Sequence, residues 1–542
     1  MSQSLSLLRG RDLITDIWGG IVDTSSNITT FLGIRYAAPP VDDLRFRAPQ
    51  PPVFISDVQQ TTEQPNQCWQ VSIVGLEPTN PFRTRAVTNV SSEDCSFLSV
   101  YYPSDAQGVP VRGGRLPTIV YIHGGGYNSA NFRTDFEFPN FSFRYLLGSS
   151  SQFRGSDLIK QSNHGVVFVI IQYRLGLFGF LAGSAVKNNG APNVGLLDQE
   201  FALRWVNKQI AKFGGDPSQV TIWGESAGTL TIGSTIASKQ LRPWIPGAGS
   251  VFQHVIANGG QTESQLFRAA ISSSSFVPSH CTSAPDWLAC LHAVDVSLLQ
   301  AANLNINADT FFGTYPFAPV VDGTFIQQSP TKALAEGLVN GEALLAVINA
   351  HEGTIFVNAS VPASANISEY ALELFPDFGL AQASQVHALY ADVGSPFDQA
   401  AAVHGDAIFR CPTYSLLRAF SGRSFKAEFA IPPGNHGMDL QYYFPSLAID
   451  VPVLNYPTFF NSTRFINAFA QAFTAFAISR DPNIKLSKTA MPLWVPWNTA
   501  GRTEMVFNKT VANEPLVKPF RTENAVLERC RFWDSVSNLT GH

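Results

Sequence analysis

The sequence predicts an α/β fold, a large and mostly parallel central sheet flanked by helices on both faces. Three observations predict it: short runs rich in Val and Ile recur along the chain, segments of helical spacing alternate with them, and no internal repeat or long low-complexity tract interrupts the pattern. Strands buried on both faces read as continuous apolar runs, and strands that alternate with helices assemble into parallel sheets.

The elements follow in order. Leu116–Ile122 (LPTIVYI) is a β-branched run that ends at His123-Gly124-Gly125-Gly126. Residues 166–173 (VVFVIIQY) form a second run, too short for a membrane helix and rich enough in Val and Ile for a buried strand. Residues 196–213 space their apolar side chains as a helix does and stop at Gly214-Gly215. Residues 219–223 (QVTIW) form a strand that runs straight into Gly224-Glu225-Ser226-Ala227-Gly228. Further strands are expected at 251–256, 343–348 and 425–431, and a helix over 462–478 with Ser462 as its N-cap. The serine run 272–275 and the Pro-rich patch 39–52 read as loops. At 542 residues the chain exceeds the usual size of one core, yet no linker divides it. A single domain over 1–542 is expected, with residues 1–14 as an N-terminal extension.

Composition narrows the function classes. Hydrophobic residues make up 45% of the chain, with 41 Phe and 9 Trp, enough for a large core. Charged residues are only 14%, against about 25% in an ordinary soluble domain. Sugar would keep such a surface wet, and Asn-x-Ser/Thr sequons stand at Asn27, Asn89, Asn140, Asn358, Asn366, Asn461, Asn508 and Asn538. Six cysteines (Cys68, Cys95, Cys281, Cys290, Cys411 and Cys530) fit three disulfides whose pairing the sequence alone does not choose. Sequons and paired cysteines together point to a secreted protein. The N-terminus lacks a signal peptide's apolar core, so that peptide is expected to be absent from this chain. A net charge of −5 argues against nucleic acid, and no apolar run approaches the roughly 18 residues of a membrane span. No Cys-x-x-Cys or His cluster suggests a metal, and no cofactor is expected.

The chemistry lies in the turns. Gly224-x-Ser226-x-Gly228 after a strand is the nucleophile-elbow pattern, in which a tight turn holds a serine oxygen exposed beside a base. An acyl-transfer site must also hold the oxyanion of its tetrahedral intermediate. The glycine-rich loop after Leu116–Ile122 supplies fixed backbone N–H groups for this, so Gly125, Gly126 and Ala227 are the expected donors. The base is expected late in the chain, after the acid. His436 sits in Pro433-Gly434-Asn435-His436-Gly437, just beyond a strand, whereas His404 lies in a helical stretch and reads as structural. For the acid, Glu352 in NAHEGT and Asp322 in APVVDG both remain open on the residues alone.

Taken together these pieces resemble the type B carboxylesterase/lipase family of α/β-hydrolases, which includes cholinesterases and Candida rugosa-like lipases. The likeness spans nearly the whole chain: Phe31-Leu32-Gly33-Ile34-Arg35-Tyr36-Ala37-Ala38-Pro39-Pro40, Arg45-Phe46-Arg47-Ala48-Pro49, Glu93-Asp94-Cys95-Ser96-Phe97-Leu98, Asn193-Val194-Gly195-Leu196-Leu197-Asp198-Gln199 and Phe213-Gly214-Gly215-Asp216-Pro217 all match, in order. The resemblance implies a catalytic triad of Ser226, Glu352 and His436, with Asp322 in a separate Val-Asp-Gly motif and Glu225 as a supporting carboxylate near the base. His351 departs from the pattern, standing where the family usually has Asp or Glu.

The resemblance also implies the disulfides Cys68–Cys95, Cys281–Cys290 and Cys411–Cys530, and makes 68–95 a lid or gorge-rim loop. In cholinesterases that loop carries a choline-binding Trp. Here the stretch PFRTRAVTNV has none and brings Arg83 and Arg85 instead, which would repel a quaternary ammonium. The implied substrates are uncharged short- to medium-chain acyl or aryl esters, with lipid or sterol esters as the alternative. A non-catalytic adhesion role of the neuroligin kind would require loss of the serine, which this chain keeps.

Overall fold

The computed structural model describes residues 3–8, 17–70, 91–111, 113–125, 148–225, 248–262, 265–273, 291–292, 295–308, 317–358, 361, 364–447, 459–484, 486–487, 489 and 491–540. The strands are β1 (Gln3–Leu8), β2 (Ile17–Asp23), β3 (Ile28–Arg35), β4 (Val58–Gln60), β5 (Gln67–Cys68), β6 (Ser91–Ser92), β7 (Phe97–Pro103), β8 (Leu116–Ile122), β9 (Val167–Ile171), β10 (Gly215–Glu225), β11 (Ala269–Ser273), β12 (Ala343–Asn349), β13 (Ser424–Phe429), β14 (Thr503–Lys509) and β15 (Pro515–Arg521). All but β5 and β6 join one 13-stranded sheet, ordered β1-β2-β3-β7-β9-β8-β10-β11-β12-β13-β14-β15, with β4 beside β2. The centre from β9 to β14 is parallel and the outer strands β1–β2–β3–β7 and β15 are antiparallel.

Two apolar layers sandwich the sheet, and successive side chains go to opposite sides. In β8, Val120 and Ile122 enter one layer while Ile119 and Tyr121 enter the other. In β12, Leu344 and Ala346 oppose Leu345 and Val347 in the same way. With both faces covered, β8, β9 and β12 read as nearly continuous apolar runs, whereas β13 (SFKAEF) keeps a polar alternation and buries Lys426 in an ion pair with Glu504.

One layer is closed by the helix Val194–Gln209, which continues as a 3-10 turn to Phe213 and ends where Gly214 takes φ +79. The other is closed by the helix Thr463–Ser479, whose Ser462 hydroxyl accepts the Phe465 N–H as an N-cap. Phe465, Phe469, Phe473 and Phe476 lie on its sheet-facing stripe, and Phe473 stacks on Trp223 of β10 at 5.7 Å. Much of the Phe content is therefore core.

Two expectations fail. Residues 251–256 are helical, within Ala248–Ile256, and not a strand. Val251, Phe252, Val255 and Ile256 pack into the core, while Ser250 and His254 are buried against Gln199 by hydrogen bonds. Ser250, Gln253 and His254 recur at helical spacing opposite the apolar residues, but over six residues the Val and Ile content outweighs that signal and suggests a strand. The serine run at 272–275 is also not all loop, since Ser272 and Ser273 complete β11 opposite Ala346 and Val347.

Candidate active site

The chain leaves β8 for β9 on one side and returns to β10 on the other, so β8 and β10 are parallel neighbours between which the order of winding reverses. Ligands in open α/β sheets bind beyond the carboxyl ends of strands at such a point. Ile122 and Gly224 are register partners, so the loop after β8 and the turn after β10 emerge side by side. Ser226 follows Glu225, the last residue of β10, in sequence. Ser226, Ala227 and Gly126 lie outside the described residues, as do Cys281, Cys290, Asn89, Asn140, Arg83 and Arg85.

The start of the glycine loop is tightly held. Gly125 has φ +118, a conformation that L side chains rarely adopt. The Tyr173 hydroxyl donates to the His123 carbonyl at 2.8 Å, and the two rings stack at 4.7 Å. Burial pushes the His123 imidazole down to about 4, so it stands neutral at ordinary pH.

Beyond β11, the loops after β12 and β13 meet. His351 N–H donates to the Gly434 carbonyl at 2.8 Å and His351 pairs with Asn435 as a short parallel bridge. This backbone tie brings His436 Nδ1 within 2.6 Å of Glu352 Oε2, with the carboxylate accepting. The other oxygen, Oε1, accepts the Asn349 N–H at 2.6 Å, so both ends of the carboxylate are fixed. The two side chains are almost fully buried. His436 Nε2 points back toward β10, 3.9 Å from Glu225 Oε1. Gly434 at φ +66 and Gly437 at φ +75 give the His436 loop its sharp turn.

Two further carboxyls crowd the base. Burial, aided by Asp439 and Glu352, holds Glu225 well above the usual carboxylate range. Asp439, three residues after His436, is pushed up to about 6 by burial, against which the Asn349 amide donates a hydrogen bond at 3.1 Å. Neither Glu225 Oε1 nor Asp439 Oδ2 has a hydrogen-bond partner among the described residues.

Comparison with known proteins decides the family. A model described as the carboxylesterase family matches residues 15–533. The chain belongs to the carboxylesterase family. It is 34% identical over 350 residues to the para-nitrobenzyl esterase of Bacillus subtilis (strain 168), covering 64% of this chain and 63% of that one. It is 27% identical over 578 residues to Lipase 1 of Geotrichum candidum, covering 96% and 94%. The chain thus spans a little under two thirds of the para-nitrobenzyl esterase and nearly all of the lipase. Among solved structures, Aspergillus niger EstA superposes with a TM-score of 0.76 at 26% identity, over 97% of this chain and 98% of that one.

Within this carboxylesterase-family chain, the remaining candidates separate by surroundings. His404 is buried on the helix Pro396–Gly405, stacked on Phe356 at 5.4 Å, and burial brings it down to about 3. Asp322 accepts from the Asn193 amide, the Thr324 N–H and hydroxyl, and the Ile326 N–H, which spends its oxygens on closing its own turn. Several signature residues are clamps: Arg35 holds Asp94 and Arg45 holds Glu93, each through two hydrogen bonds, while Arg174 holds Asp198. Disulfides link Cys68 to Cys95 and Cys411 to Cys530. Asn27, Asn366, Asn461 and Asn538 are exposed, and Asn358 and Asn508 partly so.

Asp439 was missed in the sequence. Its only sequence signal was a carboxylate three residues beyond the base, and its surroundings come from Asn349 and Glu225 on other strands. Phe356 and Phe409 were missed as well; they lie against the His436 ring at 5.0 and 4.8 Å and wall it off from solvent.

Proposed function

We propose that the protein is a serine carboxylic-ester hydrolase that works through an acyl-enzyme, with Ser226 as nucleophile, His436 as base and Glu352 as acid. The observation that carries this reading is the buried Glu352–His436 contact of 2.6 Å, facing the end of β10. A carboxylate on Nδ1 fixes the imidazole tautomer, so that Nε2 is the nitrogen that accepts a proton. Ser226 Oγ attacks the ester carbonyl as His436 Nε2 takes its proton. The oxyanion then rests on the N–H groups of Gly125, Gly126 and Ala227, His436 returns the proton to the departing alcohol, and water repeats the sequence to free the acid. Glu225 and Asp439 support the base from the side of Nε2 and from its own loop.

Uncharged short- to medium-chain acyl or aryl esters are the favoured substrates, in line with the para-nitrobenzyl esterase relative. A lipase reading is favoured by the near full-length likeness to Lipase 1. The two disulfides and the exposed sequons support a secreted glycoprotein, and among the described residues no helix is long and apolar enough to cross a membrane. Residues 68–95 are read as the rim of the site, within one domain.

Hydrolysis of p-nitrophenyl esters from acetate to palmitate, below and above their solubility limits, tests the substrate. A peak at short chains in true solution supports the esterase. A peak at long chains with a rise at the interface supports the lipase, and no hydrolysis with no labelling by an organophosphonate would return the protein to an adhesion role.

A further inference from the structure

We propose that Arg410 is a positioning residue for the acid Glu352, held in that role by Asp406 and, through it, by Arg529 of the C-terminal helix; this rests on the reading of Glu352 and His436 as the acid–base pair. The helix Pro396–Gly405 does not stop at its end. It continues through one turn of π-helix, Asp406–Arg410, into the helix Cys411–Ala419. Single π-turns inside helices recur at functional sites because the extra residue re-aims side chains. Here the turn sends Phe409 and Arg410 to the two sides of the acid loop. Phe409 lies on the His436 ring at 4.8 Å, and Arg410 Nη2 donates to the Ala350 carbonyl at 3.0 Å. Ala350 joins Asn349, whose N–H holds Glu352 Oε1, to His351, whose N–H holds the base loop at Gly434. Arg410 therefore grips the Ala350–His351 peptide, whose N–H ties the base loop at Gly434 and which directly follows Asn349, the residue whose N–H holds Glu352.

Arg410 is itself held from behind. Its Nη1 donates to Asp406 Oδ1 at 2.7 Å, and Asp406 has no solvent exposure. The other oxygen of Asp406 accepts from Arg529 Nε at 2.5 Å and from the Tyr390 hydroxyl at 3.0 Å. Tyr390 in turn accepts from Trp533 Nε1 at 2.9 Å. The two arginines keep the Asp406 carboxyl below its ordinary value although burial opposes them. Next to each arginine stands a half of one disulfide, Cys411 after Arg410 and Cys530 after Arg529. A buried pair of this kind stabilises a fold weakly or not at all, whereas removing one partner is costly because it leaves the other charge buried and unpaired.

The acid loop has no slack to absorb a loss of this grip. An added Cβ at Gly353 would stand 1.9 Å from the Ala401 carbonyl, and one at Gly405 would stand 3.0 Å from the Gly353 nitrogen. The loop lies flush on the helix that carries the π-turn, so a shift of the turn becomes a shift of Glu352. Misplacement by about 1 Å in such a constellation can cost roughly 100-fold in rate.

The test uses the full-length, disulfide-intact protein with Arg410→Met, Arg410→Lys, Arg529→Gln and, as reference, Glu352→Gln. Competent sites are counted by end-point labelling with a fluorophosphonate, and kcat, KM and the pH profile are measured per labelled site on one p-nitrophenyl ester. Arg410→Met is expected to lower kcat by roughly 10- to 100-fold with KM little changed. The acid limb of kcat/KM moves to lower pH, because a displaced carboxylate stabilises the imidazolium less. Glu225, Asp439 and His404 also face His436 and are common to all variants. Lys is expected to rescue in part, since one ammonium can meet Asp406 but not the Ala350 carbonyl as well. Arg529→Gln should show the same signature in weaker form, and it decides the matter if Arg410→Met gives no labelled protein. Wild-type kcat and pH profile per labelled site, whatever the melting temperature, would overturn the proposal while an impaired Glu352→Gln leaves the triad standing. An unimpaired Glu352→Gln overturns both.

Discussion

At the scale of single residues, the site is a balance of carboxyls around one imidazole. Glu352 accepts from Nδ1 and from a backbone N–H, whereas Glu225 Oε1 and Asp439 Oδ2 are buried and meet no donor among the described residues. Replacing Glu352 by Gln preserves shape but offers an amide where a carboxylate must accept from a cation, and kcat is expected to fall by about 10³–10⁴-fold in a steady-state ester assay. Asp439 makes the opposite case for stability. Its carboxyl, at about 6, binds its proton more firmly folded than unfolded, so the folded state loses ground as pH rises from about 4 through 6 and levels off above. Asp439→Asn keeps an acceptor for the Asn349 amide and removes the buried charge. The variant is expected to match wild type near pH 4 in urea unfolding and to exceed it by up to about 3 kcal/mol at pH 8; equal stability at both pH values would refute this. His436 stood out in the sequence because it follows an expected strand in a short glycine-bearing loop, while Glu352 shared that setting with Asp322 and the family resemblance decided between them. Asp439 did not stand out, because what surrounds it is contributed by β10 and β12.

At the scale of elements, the site depends on how closely helices lie on the loops. Gly353 is fixed by packing and not by its φ, since a side chain there meets the carbonyl of Ala401. Gly353→Ala is expected to destabilise by about 2–4 kcal/mol and to lower kcat through Glu352, read by calorimetry alongside turnover. On the opposite face, Phe473 is wedged among Trp223, Tyr443 and Phe469 at 4.9–5.7 Å. Truncation to Ala is expected to cost about 3–5 kcal/mol in denaturant unfolding while kcat of the folded fraction holds. The strands β8, β9 and β12 were legible because burial on both faces leaves apolar runs, and β13 because Phe425, Ala427 and Phe429 alternate with polar residues. The helix Ala248–Ile256 and the strand β11 were not. The polar side of that helix, Ser250 and His254, is buried on Gln199, and segments this short carry too little period to set against their composition.

At the scale of the molecule, the sheet order puts four carboxyl-end loops at one rim and ties the far end of the chain back to them. Cys411–Cys530 spans a sequence separation of 119 and fastens the C-terminal helix beside the π-turn. Replacing both cysteines by Ser is expected to lower stability by about 2–5 kcal/mol, measured by urea unfolding under oxidising conditions. The family signatures near the N-terminus were legible as sequence, but their work was not: Arg35, Arg45, Glu93 and Asp94 turn out to clamp the chain around Cys95, and only the fold shows that they meet. Of the loop 68–95 expected at the rim of the site, residues 71–90 lie outside the described residues.

The most direct test is Ser226→Ala, assayed with a soluble p-nitrophenyl ester beside wild type, with fluorophosphonate labelling and peptide mapping of both. Wild type should hydrolyse the ester and carry the label on Ser226, and the variant should take no label and lose at least about 10⁴-fold in kcat/KM. Turnover near the wild-type rate in Ser226→Ala, or a label on a different residue, would contradict the serine mechanism.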